Sequence, residues 1–234
     1  MKKRSRIAAV LLTLAVLLCL AGCKEGKLKA KRPDMDALRA AEVGSYIYFG
    51  EYEQDNNEST EKEAIEWLVL DKQEDKMFVV SRYGLDCQEF HTEAGVFAWE
   101  NCSLRSWLNY TFYEIAFIPE EMDRILISEV TAEAITEYNA LAGNKTMDKV
   151  FILCIDEASR YLTDETAIKC FGTPYCYAQG AYRFGNDACT WWLRMPGVNY
   201  NIGWVDPDGY VHFGARTDGQ FYAVRPAMWI DLKP

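Results

Sequence analysis

The chain has 234 residues, half of them hydrophobic, and acids outnumber bases to leave a formal net charge of −10. Such a surface repels phosphate backbones rather than gathering them, which argues against a nucleic-acid partner. The length behind a short N-terminal leader suits one ordinary domain with enough apolar residues for a core.

The chain opens Met1-Lys2-Lys3-Arg4-Ser5-Arg6, continues with an apolar run from Ile7 to Leu20, and closes that run with Leu20-Ala21-Gly22-Cys23. A basic start, an apolar stretch too short to span a bilayer comfortably and small residues before a cut make an export signal. Residues 1–22 are therefore read as a signal peptide. The Leu-Ala-Gly-Cys pattern resembles the lipobox of bacterial lipoproteins, which makes Cys23 the expected lipid-attachment residue. Residues 23–42 form the expected tether, whose Lys24, Lys27, Lys29, Lys31 and Arg32 suit anionic headgroups beside the acyl chains. Losing the leader removes four bases and no acid, so the net charge moves from −10 to −14. The expected location is the extracytoplasmic face of the bacterial cell membrane, held there by lipid.

Residues 43–234 are assigned to a single domain. Ser45 to Tyr52 alternates with aromatic residues and reads as a first strand, followed by Ile65 to Asp71 and Met77 to Arg82, each rich in Val, Ile, Trp or Phe, with a polar loop from Glu53 to Lys62. Leu104, Trp107, Leu108, Phe112, Ile115 and Ala116 recur at helical spacing, with Ser103 in the N-cap place. Pro119 can start a second short helix. Val150 to Ile155 reads as a buried strand, and Asp156 as the cap of a helix through Leu162. Beyond Thr190, strands alternate with turns at Pro207-Asp208-Gly209 and Asp218-Gly219. Strands at both ends with helices between them predict an α+β domain, a mixed or antiparallel sheet with a few short helices, whose termini share one sheet.

Cys87, Cys102, Cys154, Cys170, Cys176 and Cys189 remain besides Cys23. Six cysteines allow fifteen connectivities. Cys87 with Cys102 and Cys170 with Cys189 each close a short loop at the edges of expected elements, leaving Cys154 and Cys176 as a remainder. Six thiols are the alternative. No Cys-x-x-Cys spacing occurs and His91 and His212 lie far apart, so no metal is assigned. Asp206, Asp208 and Gly209 supply too few oxygens for calcium and read as a hairpin turn. No Ser-His-Asp, Cys-His or phosphate-cradling pattern is present, so no catalytic residue and no cofactor are assigned.

The densest feature is Trp191-Trp192-Leu193-Arg194-Met195-Pro196-Gly197, answered by Val224-Arg225-Pro226-Ala227-Met228-Trp229. Strand alternation sends Trp191 and Trp192 to opposite faces, one to the core and one toward the surface. Arg194 and Arg225 are read first as structural clamps that need carboxylate partners, and second as ligand contacts.

These two stretches, with Gly44 to Gly50, Ile65 to Leu70 and Ser103 to Asn109, resemble the successive motifs of the bacterial domain of unknown function 6273. The family usually shows Ser at the position of Met195 and Gly at that of Ala223, which leaves no role for a serine hydroxyl there. The tryptophan-rich hairpin before a closing Val-Arg-Pro strand is also similar to C-type-lectin-like and sulfatase-modifying-factor domains. That likeness implies a loop-rich face for binding, with Trp191, Trp192, Arg194, Asn199, Tyr200, Asn201, Trp204, Tyr210 and Tyr222 as candidates. Aromatic faces stack on sugars while amides bond hydroxyls. The expected function is recognition of a glycan or a protein without catalysis. The alternatives are an envelope-assembly lipoprotein without a small ligand, and an enzyme of the sulfatase-modifying-factor type.

Replacing Cys23 by Ser should move the expressed protein from the detergent-rich to the aqueous phase in a phase-partition assay. Unchanged partition would remove the lipid anchor from this reading.

Overall fold

A computed structural model describes residues 34–93, 97–131, 143–163, 165–185, 187–194, 202–215 and 221–234. Cys23, Asn199, Tyr200, Asn201, Met195 and the Asp218-Gly219 turn lie outside them. Among the described residues no helix is long and apolar enough to cross a membrane.

Part of the expected tether folds onto the domain. Asp34 caps helix α1 (Met35–Ala40) by accepting from the Asp36 and Ala37 amides. Leu38 is buried, and Arg39 donates to the Leu232 and Lys233 carbonyls, so the start of the domain is fastened to its end.

The three expected strands then form a meander of β1 (Tyr46–Tyr52), β2 (Glu63–Lys72) and β3 (Lys76–Ser81), paired antiparallel. Ile47, Phe49 and Tyr52 turn inward while Tyr46 and Tyr48 face solvent. At Gly50 the register shifts between Tyr48 and Glu51, and φ is +73°.

After β4 (Asp86–Cys87), the expected helix over 103–117 appears as α2 (Ser103–Trp107), a π-helical turn over Leu108–Phe112 and α3 (Tyr113–Ala116). Pro119 begins α4 (Pro119–Met122), as its fixed φ favours. There follow β5 (Ser128–Val130), β6 (Thr146–Asp148), β7 (Phe151–Ile152), α5 (Ile155–Tyr161), α6 (Glu165–Ile168), β8 (Cys170–Phe171) and α7 (Pro174–Ala178). The last strands are β9 (Ala188–Cys189), β10 (Trp191–Trp192), β11 (Ile202–Val205), β12 (Val211–Ala215), β13 (Ala223–Val224) and β14 (Pro226–Asp231). Two expected caps move by a residue or two. Cys102 caps α2 and Cys154 caps α5, each with its sulfur accepting an amide, in place of Ser103 and Asp156.

The strands form two five-stranded sheets, ordered β1-β2-β3-β14-β7 and β12-β11-β10-β13-β4, and two two-stranded ladders, β5-β6 and β8-β9. Pairing is antiparallel except between β10 and β13. The fold is α+β, and the first and last long strands share one sheet, as the sequence pattern predicts. β3 pairs with β14 in the first sheet and β4 pairs with β13 in the second. The two chain segments therefore run side by side from one sheet into the other, and Arg225 is the single residue between β13 and β14 at that crossing.

All six domain cysteines are thiols in this structure. The Cys102 sulfur bonds Trp99 O and the Arg105 amide, and the Cys176 sulfur donates to Asp86 O. Cys170 and Cys189 do face each other, as partners in the β8–β9 ladder.

Gly50 shows how tightly the meander meets the helices. A Cβ there would lie 2.6 Å from the Phe117 ring and 2.8 Å from Ala116 O, while the Gly50 amide donates to Glu121 Oε1 at 3.0 Å. Gly50→Ala should therefore cost about 2 to 4 kcal/mol, from left-handed backbone strain and overpacking together. A urea midpoint unchanged from wild type would contradict this.

Candidate functional site

The second sheet carries a row of aromatic residues across its strands. Trp192 pairs with Trp204, and Trp204 with His212, so the three share one face. His212 stacks on Trp204 at 4.5 Å between ring centroids, and Tyr222 packs at 4.0 Å from Trp192 and 5.4 Å from Trp204. Phe90, 5.8 Å from Trp192, continues the row into the core. Burial falls along it: Trp192 is wholly enclosed, Trp204 and Tyr222 are half-buried, and the His212 side chain is 43% exposed.

The open end is fixed by its own turn. Asp206 accepts from the Asp208 and Tyr210 amides through Oδ1, and its Oδ2 lies 2.7 Å from His212 Nε2. Burial alone would raise the Asp206 carboxyl, but His212 and the two amides hold it below the usual carboxylate range. The turn sequence thus braces a hairpin, as expected, and Tyr210 stands at its tip, 69% exposed.

Several candidates leave the binding list. Trp191 and Trp192 are both fully buried, against the expectation that one would face outward. Each donates its indole N–H to a backbone carbonyl, Trp191 to Ile168 and Trp192 to Gln88. Two rings can be enclosed because helices and loops cover both faces of the sheet there. Arg194 is also buried: it donates to Thr131 O and Ile152 O and meets both Glu157 oxygens at 3.1 and 3.2 Å. It clamps β10 to α5 and is not open to a ligand. Arg225 donates to Ser81 O and Ala167 O, each at 2.9 Å, beneath the Trp191 ring. Trp204, Tyr210 and Tyr222 remain.

The family comparison matches residues 74–232, about two thirds of the chain, to Domain of unknown function (DUF6273). The chain belongs to that family. The match begins at the turn before β3 and so leaves β1 and β2 outside it. No curated protein and no solved structure matches the chain.

In this DUF6273 domain a groove of about 460 Å³ opens beside the buried end of the aromatic row. Gln88, Glu89, Thr92, Ser103, Trp107 and Gln179 line it. Gln88 joins the two features, because its carbonyl accepts from Trp192 and the residue lines the groove. None of these lining residues stood out in the sequence as binding residues. Only Ser103 and Trp107, inside the family motif, carry a signal, and it is one of helix formation.

Behind the groove wall sits a buried carboxylate. Asp86 Oδ2 accepts from the Tyr52 hydroxyl, and Oδ1 accepts from the Cys87 amide at 2.6 Å and Gln88 Nε2 at 3.1 Å. Burial raises the Asp86 carboxyl above its ordinary value, opposed by those three donors. Burial and then Asp86 drive the Tyr52 hydroxyl far up. Burial also pushes the Cys87 thiol, on the groove lining, up to about 12, so it is not a ready nucleophile. Among the described residues, the carboxylates of Glu53, Asp55 and Glu63 approach within 4.8 Å of one another. Glu63 there braces the β1–β2 loop by accepting the Gln54 and Asp55 amides.

The raised Asp86 pKa fixes a pH trend. A carboxyl raised on folding favours the folded state while protonated, and loses that contribution as pH climbs through its folded pKa. Urea midpoints from pH 4 to pH 8 should therefore show wild type losing stability relative to Asp86→Asn as pH rises. Parallel curves would contradict the assignment.

Proposed function

We propose that this is a lipid-anchored extracytoplasmic recognition protein, which takes a glycan along the open aromatic row of its second sheet and the adjoining polar groove. The observation that carries this is the half-open set of Trp204, His212 and Tyr222, rooted on a fully enclosed Trp192 and bordered by amides and acids. Aromatic faces pack on the apolar faces of sugar rings, and a few fixed polar groups then choose among hydroxyls. Pre-ordered rings lose little freedom on binding, which favours affinity. The lipobox pattern and acidic exported domain support the location, and a C-type-lectin-like display of loops would suit the same role.

A second reading, an envelope scaffold without a small ligand, is favoured by one observation: Trp191, Trp192, Arg194 and Arg225 are all sealed inside. The two readings separate in a binding titration against soluble cell-wall glycan fragments, followed by tryptophan fluorescence. Recognition predicts saturable binding that Trp204→Ala weakens about tenfold, roughly 1.4 kcal/mol. Trp229→Ala, on the other sheet, should leave it unchanged. No saturable binding, or equal losses in both variants, would favour the scaffold.

A further inference from the structure

At the crossing between the sheets, two thiols and a guanidinium share one enclosed site. Cys170 and Cys189 oppose each other in the β8–β9 ladder and are both fully buried. Each thiol shifts the proton affinity of the other, and the Cys170 thiol donates to Phe171 O at 3.7 Å. Each sulfur lies 3.5 Å from where a Gly84 Cβ would stand, so the glycine makes room for the pair. Arg225, equally buried, has no carboxylate partner among the described residues. Its bonds go to two backbone carbonyls and its plane lies on Trp191. A buried cation without a counter-charge is costly, and the groups facing it are Cys170, Cys189 and the Tyr46 hydroxyl.

We propose that Cys170 and Cys189 are a redox-active pair beside Arg225, in which oxidation closes a cross-strand disulfide.

Several features of the site support this chemistry. Burial would raise Cys170, but the Cys189 thiol, Arg225 and the Gly84 amide outweigh it and bring it below the ordinary thiol value. Cys189, beside Cys170 and itself buried, is driven well above that value. Cys176 and the Tyr177 hydroxyl, the other titratable groups against the pair, are both raised by burial and add no positive charge. One sulfur is thus prepared as nucleophile and the other as the proton-bearing resolving thiol. The oxidant required is a disulfide, either a small molecule or a partner protein. Cys170 thiolate attacks one of its sulfurs, forming a mixed disulfide and releasing a thiolate that takes up a proton. Cys189 then gives up its proton and attacks the Cys170 sulfur, releasing the second thiol. The chain loses two electrons and the oxidant gains them. Access comes from opening the β8–β9 ladder, only two residues long on each strand. Closing the disulfide would remove the counter-charge of Arg225, so oxidation would act directly on the crossing that joins the sheets.

The test uses the full-length folded protein in buffers of increasing oxidised glutathione, with alkylation and peptide mapping of every cysteine. The Cys170–Cys189 cross-link should form first, while Cys102, Cys154 and Cys176 remain alkylatable. Cys189→Ser should trap one glutathione on Cys170. The rate of trapping should reach half its maximum below pH ~8.5, the value of an ordinary thiol. A pair that stays reduced while another cysteine oxidises would overturn the proposal. So would glutathione trapped on another cysteine, or a half-maximum at or above that pH. None of these outcomes bears on glycan binding.

Discussion

Arg225 stands where two strands leave one sheet together and enter another. β3 and β14 run antiparallel in the first sheet, and their continuations β4 and β13 run antiparallel in the second. The guanidinium spans that bend by donating to Ser81 O, the last residue of β3, and to Ala167 O in α6. Leu85 closes the ribbon just beyond by donating to Val224 O. Five donors on one planar group can satisfy carbonyls that a bend strips of ladder partners, which a lysine or an apolar side chain could not do. Arg194 repeats the solution at the end of β10, where it gathers the Thr131 and Ile152 carbonyls and Glu157. The aromatic row, the groove and the cysteine pair all hang on elements these two residues fix.

The sequence pattern was most readable where one face of an element meets water. β1 alternates at its start, with Tyr46 and Tyr48 outside and Ile47 and Phe49 inside, whereas β2 and β3 hold unbroken buried runs, and Pro119 starts its helix through its own fixed geometry. The reading of Arg194 and Arg225 as clamps also followed from elementary cost, since a buried charge must find partners. Reading failed where enclosure is two-sided. Alternation assigned Trp191 and Trp192 to different fates, yet cover on both faces of β10 buries both. The caps failed for a chemical reason: oxygen-bearing Ser103 and Asp156 are the usual choices, but the softer sulfurs of Cys102 and Cys154 occupy the places. The change of sheet at Arg225 left no trace in local composition, because it depends on which distant strands pair. The groove was equally hidden, since Gln88, Ser103 and Gln179 come from three separate segments.

Tryptophan thus does two jobs in one domain. Trp67, Trp99, Trp191 and Trp192 are enclosed, and each indole donates to a fixed acceptor: Phe49 O, Asp148 Oδ2, Ile168 O and Gln88 O. Large rings at such places bury much apolar area while their one polar atom stays satisfied. Trp204 differs. It is half-buried, held by stacking on His212 and an edge contact with Tyr222, and among the described residues its indole N–H bonds to nothing. A rigid ring with an open face and an available donor is suited to meeting a polar ligand that also has apolar faces.

The division between enclosed and open tryptophans is the centre of this account, and hydrogen exchange of the indole N–H groups, followed by NMR, tests it directly. The account predicts that Trp67, Trp99, Trp191 and Trp192 keep their indole protons long after Trp204 has exchanged. Exchange of Trp191 or Trp192 as fast as that of Trp204 would contradict it.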